Sequence, residues 1–366
     1  MRILVFANTP AHVHLYRHAV SRLEERGHDV CVLGREYDCT TDLLEFYGLP
    51  YQPYGAHGTE PTSRLAFGRE LVGQLGRIAT TTRRFSPDVV FGRGPYAAFA
   101  GSLARAPTVL VLDDEPGSFN HTVSRPFADC ILSPAVTRRD LGDAHYTFEG
   151  FKECAYLHPA VFDPDPAVHE YLGIDPDEPY VIVRFNALDA LHDAGIEGFS
   201  SAQRLDLIER LSERATVFVS DEGDDLALTD LPARPYDLHP ALIHDAMAGA
   251  DLLVADTGTM VTEAGLLGTP AIRYRGTDDH VYGEFRELER VGLVEQADSY
   301  DDVRDRALDL LEDETATDRW AQRRREYVGD LVNLTDVLVD VAEARGSVDR
   351  LGPATRRTLR KRSTPS

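Results

Sequence analysis

Lysine is almost absent from this sequence. Only Lys152 and Lys361 occur among 366 residues, so arginine supplies 36 of the 38 basic side chains. The four cysteines show neither the C-x-x-C spacing of a metal site nor the density of a disulfide scaffold. No apolar run approaches the roughly 18 to 20 residues of a membrane span, and the opening MRILVFANTP has no signal-peptide core. These absences predict a cytoplasmic protein with reduced thiols and no metal site.

Acidic side chains are in large excess. The sequence has 61 of them, 37 being aspartate, and a formal net charge of −23, which excludes nucleic acid as a partner. Abundant aspartate with almost no lysine resembles proteins of salt-loving archaea, where molar salt screens charges over about 3 Å. Because 43% of the residues are hydrophobic, ordinary folded cores are expected. We therefore interpret the charge as an adaptation to solvent.

Short apolar runs alternate with amphipathic stretches along most of the chain. This rhythm predicts an α/β protein with two Rossmann-like, doubly wound domains that face each other across a cleft. The predicted parts are an N-terminal domain (1–162), a proline-rich linker (163–179), a second domain with C-terminal helices (180–345) and a basic tail (346–366). The tail carries six basic residues and one acid. We expect it to be disordered, with docking to an anionic lipid surface as the alternative.

The most informative segment is 249–274, GADLLVADTGTMVTEAGLLGTPAIRY. Its apolar strand leads through Asp256-Thr257-Gly258 directly into a helix that starts near Thr259 and Met260. Unpaired N–H groups at a helix N-terminus attract anions. Glu263, one turn inside, is placed to accept hydrogen bonds from ribose hydroxyls. The alternative is an ordinary capped packing helix with a solvated glutamate.

This segment resembles the donor-nucleotide motif of GT-B glycosyltransferases and of UDP-N-acetylglucosamine 2-epimerases. The loops 12–14, 92–96 and 113–117 fall where the UDP-N-acetylglucosamine transferase of peptidoglycan synthesis has comparable loops. Residues Gly150-Phe151-Lys152-Glu153 and Ala155-Tyr156-Leu157, with Pro159 and Phe162, resemble an archaeal family of uncharacterised GT-B proteins. The resemblance implies a GT-B fold with an acceptor domain (1–162) and a donor domain (180–345) that binds a UDP-sugar. The residues predicted to bind that donor are Arg184, Asp256, Thr257, Gly258, Thr259, Met260 and Glu263.

Candidates for the acceptor side lie in the first half of the chain. His12 is a candidate general base, since imidazole titrates near pH ~6.5. Asp113, Asp114 and Glu115 end an apolar strand, where acids suit hydroxyl binding or a second base. We predict catalytic roles for His12, Asp114 and Glu115, and acceptor contacts for His14, Arg93 and Asp113. The structural alternatives are a helix-capping histidine for His12, a solvated trio for residues 113–115 and a charged turn for Arg93. Lys152 is expected to pair with Glu153.

Two departures from the resembled families limit the reaction. Asn8-Thr9-Pro10-Ala11 replaces a glycine-rich loop, and proline removes one N–H from any phosphate cradle there. Thr262 stands where the epimerases have the first of two glutamates. The sequence thus favours a glycosyltransferase of cell-surface glycan or glycolipid synthesis, with a 2-epimerase or a non-catalytic nucleotide-sugar-binding module as alternatives. A UDP-sugar would be a substrate and no cofactor is expected. The acceptor is expected to be a glycan or a lipid-linked sugar, and its identity stays open. The oligomeric state and a peripheral contact with the inner membrane face stay open as well.

Overall fold

The computed structural model describes residues 1–56, 64–113, 119–186, 198–221, 228–275 and 283–362. The chain divides into two compact units. Unit 1 comprises Met1–Val161 and Leu331–Ser366, and unit 2 comprises Phe162–Asp330. Both units are α/β, as the alternation of apolar runs and amphipathic stretches predicts.

Unit 1 contains an eight-stranded sheet in the order β14-β7-β6-β5-β4-β1-β2-β3. Seven strands pair in parallel, and only β14 is antiparallel, alongside β7. Its central strands bury apolar side chains on both faces, among them Leu4, Val90 and Leu110. The strands are β1 Arg2–Ala7, β2 Asp29–Glu36, β3 Tyr51–Ala56, β4 Val89–Gly92, β5 Thr108–Val111, β6 Cys130–Pro134, β7 His145–Phe148 and β14 Leu359–Lys361.

The helices of unit 1 follow from local sequence signals. The first begins at Pro10, where proline's fixed φ suits a helix start, and the chain leaves it through Gly27 at φ +79°. The unit 1 helices are α1 Pro10–Glu25, α2 Thr40–Phe46, α3 Arg64–Phe85, α4 Pro95–Ala104, α5 Phe119–Ser124, α13 Leu334–Glu343 and α14 Pro353–Thr358.

Unit 2 contains a six-stranded, fully parallel sheet in the order β10-β9-β8-β11-β12-β13. The strands are β8 Tyr180–Phe185, β9 Thr216–Asp221, β10 Arg234–Pro235, β11 Leu252–Ala255, β12 Ala271–Tyr274 and β13 Glu295–Ala297. The helices are α6 Val168–Leu172, α7 Ser201–Ser212, α8 Ile243–Gly249, α9 Thr259–Leu267, α10 Gly283–Arg290, α11 Tyr300–Glu312 and α12 Ala316–Tyr327. The central strands β8 and β11 are almost wholly buried.

The structure divides the chain differently from the predicted boundaries. The expected linker 163–179 belongs to unit 2, where Val168 and Leu172 of α6 are buried. Residues 331–345, expected in the donor domain, belong to unit 1 instead. There the Thr335 hydroxyl donates to the Ala155 carbonyl at 2.6 Å, and Asp336 pairs with Arg22 of α1. The amphipathic pattern of a helix predicts that one face is buried, but it does not identify the unit against which that face packs.

The basic tail also differs from the expectation of disorder. It forms α14 and then β14, which pairs with β7 through the register Leu359↔Phe148. The Arg362 guanidinium continues this attachment by donating to the Arg138 carbonyl at 2.9 Å. Backbone pairing at the sheet edge thus orders residues whose composition alone favours disorder.

Two further expectations concern the membrane and the cysteines. Within the described part of the chain, none of the helices is long and apolar enough to cross a bilayer. Cys31, Cys130 and Cys154 are buried thiols. Burial raises the pKa of Cys31 to about 11 and that of Cys154 to about 12, so both stay protonated at neutral pH.

Candidate functional site

In unit 2 the strand β11 leads through Asp256, Thr257 and Gly258 into α9. Gly258 is the N-cap of this nine-residue helix and, having no side chain, makes no side-chain capping bond. A Cβ at Gly258 would lie 2.9 Å from Cζ of Phe285, which explains why glycine stands there. Thr259 is exposed and Met260 is half-buried, so the positive end of the helix dipole can be reached from solvent. This helix start has the features of an anion site.

Asp256 holds the surrounding backbone in place. Its Oδ1 accepts from the Asn186 N–H at 2.9 Å and its Oδ2 from the Phe199 N–H at 3.2 Å. Burial raises the pKa of this carboxyl, while the two backbone N–H groups and Arg204 oppose the rise. Because both oxygens bind the protein's own backbone, Asp256 acts as a positioning residue for the loop it begins.

Arg204 completes a clamp that the sequence did not indicate. This arginine of α7 is 1% exposed and lies over the Phe185 ring at 5.1 Å. It donates from Nη2 to the Asn186 carbonyl at 2.6 Å and from Nε to the Phe199 carbonyl at 3.1 Å. Asp256 therefore binds the N–H groups, and Arg204 the carbonyls, of the same two residues. We call this arrangement the Asp256–Arg204 clamp.

Glu263 and Arg184 lie near the same strand ends. Glu263 is 5% exposed, and its Oε1 lies 3.1 Å from Nε2 of His244 on α8. His244 therefore orients the carboxylate predicted to bind ribose, a contact that their 19-residue separation hides in the sequence. Arg184 pairs in register with Ala255, next to Asp256, and donates to the Ser220 hydroxyl at 2.6 Å. The Thr257 hydroxyl is buried and has no hydrogen-bond partner among the described residues.

In unit 1 a cluster of charged side chains follows the ends of β4 and β5. Asp113 forms ion pairs with Arg93 and with Lys152, whose Nζ lies 2.5 Å from Oδ2. The same Nζ lies 3.5 Å from Oε1 of Glu153, so the expected Lys152–Glu153 pair is present but is the longer of the two contacts. Burial alone would raise the pKa of Asp113, but Lys152 and Arg93 outweigh it and hold that pKa below its usual range. Asp113 is therefore ionised.

His12 lies beside this cluster, at the start of α1. Its Nδ1 accepts from the Asn8 N–H at 3.2 Å, which places the proton of the neutral ring on Nε2. Burial, together with the nearby Arg93 and Lys152, lowers the pKa of His12 to about 3, against the opposing effect of Asp113. A ring with this pKa and an occupied lone pair suits a neutral hydrogen-bond donor. The geometry thus disfavours the predicted role of general base.

His14, which is also predicted for the acceptor side, packs among aromatic side chains. His14 is 5% exposed and packs between Tyr47 and Tyr156, with ring centroids 5.9 and 5.4 Å away. Its Nδ1 lies 3.5 Å from the Arg17 guanidinium, which itself lies over Tyr47. This packing disfavours the predicted acceptor contact. Asp114 and Glu115 lie outside the described residues, so their catalytic roles stay predictions.

With this geometry in hand, comparison with known proteins identifies the family. The model of a family described as proteins of unknown function, DUF354, matches residues 2–344. The chain belongs to this DUF354 family. An uncharacterised protein of Methanocaldococcus jannaschii, MJ0665, is 23% identical over 345 residues, covering 88% of this chain and 96% of that protein.

A second relative has a named activity. It is a UDP-N-acetylglucosamine–N-acetylmuramyl-(pentapeptide) pyrophosphoryl-undecaprenol N-acetylglucosamine transferase of Nitratidesulfovibrio vulgaris. It is 29% identical over 331 residues, which cover 81% of this chain and 84% of that protein. The resemblance inferred from the sequence motifs is therefore confirmed at the level of the superfamily.

Solved structures agree on the fold of this DUF354 chain. A UDP co-structure of S. aureus MnaA gives a TM-score of 0.66 at 12% identity, covering 93% of this chain and 96% of that one. The structure of UDP-GlcNAc 2-epimerase of Neisseria meningitidis, bound to UDP-GlcNAc, gives a TM-score of 0.62 at 13% identity, covering 94% of this chain and 99% of that one. The spinosyn forosaminyltransferase SpnP gives a TM-score of 0.64 at 16% identity, covering 95% of this chain and 100% of that one. At these identities the likeness concerns the fold, and the predicted GT-B class with two Rossmann-like units is confirmed.

Proposed function

We propose that this DUF354 protein is a GT-B-type glycosyltransferase that moves a sugar from a UDP-sugar to an acceptor. The observation that carries the proposal is the exposed start of α9, which follows a buried strand and is capped only by glycine. A transferase of this type must stabilise the departing diphosphate, and a helix N-terminus supplies N–H groups and a positive dipole for that purpose. The relatives in the GT-B superfamily support the same assignment.

The residues around α9 have separate parts in this proposal. The N–H groups of Thr259 and Met260 bind the diphosphate, and the buried Thr257 hydroxyl offers a further donor. Glu263, oriented by His244, accepts from the ribose hydroxyls. Arg184 balances the diphosphate charge from the neighbouring strand. The UDP-sugar is a substrate and no other cofactor is required.

Unit 1 provides the acceptor site in this proposal. The Arg93, Asp113 and Lys152 cluster follows the ends of β4 and β5, the edge of a parallel sheet where ligands bind. The acceptor is a glycan or a lipid-linked sugar, reached from the cytoplasm with peripheral contact at the inner membrane face.

Replacing one backbone N–H tests the donor site. Thr259→Pro removes the N–H of the first helical residue, a position where proline is tolerated. Gly258 before it lies at φ −86° and ψ −48°, a region that a following proline disfavours, so circular dichroism first establishes that the variant is folded. Losing one charge-assisted hydrogen bond should weaken UDP binding about tenfold by calorimetry. Thr259→Ala keeps the N–H and is the matched control, expected to change affinity less than about threefold. Equal affinity in both variants would contradict the proposed site.

A second measurement separates transfer from epimerisation on the same scaffold. A 2-epimerase exchanges the proton at C2 of the sugar, whereas a transferase leaves it in place. We expect no deuterium at C2 when the UDP-sugar is incubated with the protein in deuterated water. The alternative is disfavoured here because Thr262, 2% exposed, stands where the epimerases have a glutamate. Deuterium incorporation would replace the transferase assignment with an epimerase.

A further inference from the structure

We propose that the charged cluster of unit 1 is a binding site for a phosphate group carried by the acceptor. This inference rests on the proposed transferase function and names the chemical class of its second substrate. The binding residues are Arg93 and Lys152, with His12 and Tyr16 as neutral donors and Asp113 as the counter-ion that holds the two cations in place.

The two cations are the accessible part of the cluster. The strands β4 and β5 are neighbours in register Gly92↔Leu110, so Arg93 and Asp113 follow the same sheet edge. The side chains of Arg93 and Lys152 are 15% and 17% exposed, whereas Asp113 is 5% exposed. An anion approaching from solvent therefore meets the guanidinium and the ammonium before it meets the carboxylate.

Helix α1 adds two neutral donors to the cations. His12 and Tyr16 are one helical turn apart and lie on the same face of α1. His12 presents Nε2–H, because Nδ1 is occupied by the Asn8 N–H. Tyr16 is 3% exposed, packs against Phe91 of β4, and its hydroxyl has no hydrogen-bond partner among the described residues. A buried hydroxyl without a partner is costly, and a ligand oxygen would satisfy it.

The charges nearest His12 differ from the overall charge of −23. At His12, Arg93 and Lys152 both disfavour a further positive charge, and only Asp113 opposes them. Glu153 is 1% exposed and its Oε1 lies 3.5 Å from Nζ of Lys152, so the ammonium is more accessible to solvent than this carboxyl group. Two cations and two neutral donors match a group with several acceptor oxygens. A phosphate ester has such oxygens, whereas a carboxylate has only two.

The direct test observes His12 while phosphate is added. The full chain, labelled with ¹⁵N-histidine and saturated with UDP so that the α9 site is occupied, is titrated with inorganic phosphate at one fixed potassium chloride concentration. The ring signals of His12 are assigned by their loss in His12→Gln. We expect the Nε2–H signal to shift with saturation, and acetate to produce no such shift. An unmoved signal would overturn the proposal.

Variants at the two lysines provide a matched pair. Lys152→Met should weaken phosphate binding about tenfold or more, as measured by calorimetry. Lys361→Met removes the only other lysine, an exposed residue of β14, and should leave phosphate affinity unchanged. Arg93→Gln is a second variant in case Lys152→Met does not fold, and it should weaken binding to a similar degree. Unchanged phosphate affinity in a folded variant of either cation would contradict the site.

Two esters then separate the sources of the phosphate. Geranyl phosphate represents a lipid-linked acceptor and glucose 1-phosphate a free sugar phosphate. Competition by either against inorganic phosphate supports the site, and the stronger competitor identifies the acceptor type; competition by neither would overturn the proposal. Because His12 reports on unit 1 whether or not UDP binds, failure of the donor assignment and failure of this inference give different results.

Discussion

The two units present different groups at the strand ends where we propose that anions bind. In unit 2 the helix start at α9 offers backbone N–H groups, and the nearby acid Asp256 is bound by the N–H groups of Asn186 and Phe199. In unit 1 the helix at the same place in the strand order is α4, which begins with Pro95, a residue without an N–H, and the charges of the cluster stand on side chains. In the proposed assignment, two sheets with the same central strand order carry a backbone site in one unit and a side-chain site in the other.

The largest expected effect concerns the acid of the side-chain site. Asp113→Asn removes the carboxylate paired with Arg93 and leaves Lys152 its longer contact with Glu153, so the free energy of unfolding should fall by about 3 kcal/mol. Thermal unfolding with and without phosphate checks this, since phosphate should restore part of the lost stability as a replacement anion. Asp336→Asn removes an ion pair whose carboxylate is 61% exposed and should cost less than about 1 kcal/mol. Equal losses in the two variants would mean that the Asp113 carboxylate contributes no more to stability than an exposed one, which contradicts its role as the buried counter-ion of the cluster.

A smaller effect concerns pH. His12 stays neutral in the folded chain down to a pKa of about 3, whereas in the unfolded chain it takes up a proton below about pH 6.5. The unfolded state therefore binds more protons in this window, and stability falls as the pH drops from about 6.5 toward 3. Protonation of His12 in the unfolded chain alone should lower the free energy of unfolding by about 1 kcal/mol between pH 6.5 and 5.5.

His12→Gln isolates this contribution from those of other histidines. Burial also lowers the pKa of His18 and of His145 to about 4, so both add to the same slope. The variant should flatten, but not abolish, the decline of melting temperature between pH 7 and 5. A slope identical to that of the unchanged chain would mean that His12 is solvated and not held neutral.

The sequence predicts the central strands of both sheets and the α9 loop because these depend on local apolar runs and a glycine before a helix. It does not predict the edge strand β14, which lies in the tail expected to be disordered. It does not predict the Asp256–Arg204 clamp, because Arg204 looks like any helical arginine until tertiary packing brings it to Asn186 and Phe199. The scarcity of lysine makes Lys152 unusual in the sequence. Its partner Asp113 lies 39 residues away, so the sequence does not predict that ion pair. The state of His12 depends on a backbone N–H and two cations, which residue types alone do not reveal.

Crossed titrations of two variants test the separation of the two sites most directly. Calorimetry measures UDP and inorganic phosphate binding to Thr259→Pro and to Lys152→Met. The account predicts that Thr259→Pro loses UDP affinity and, with its α9 site disabled, still binds phosphate through unit 1. Lys152→Met should do the reverse, keeping UDP affinity within about twofold while phosphate affinity falls about tenfold. Loss of both ligands in one folded variant, or of neither ligand in both variants, would contradict two distinct anion sites.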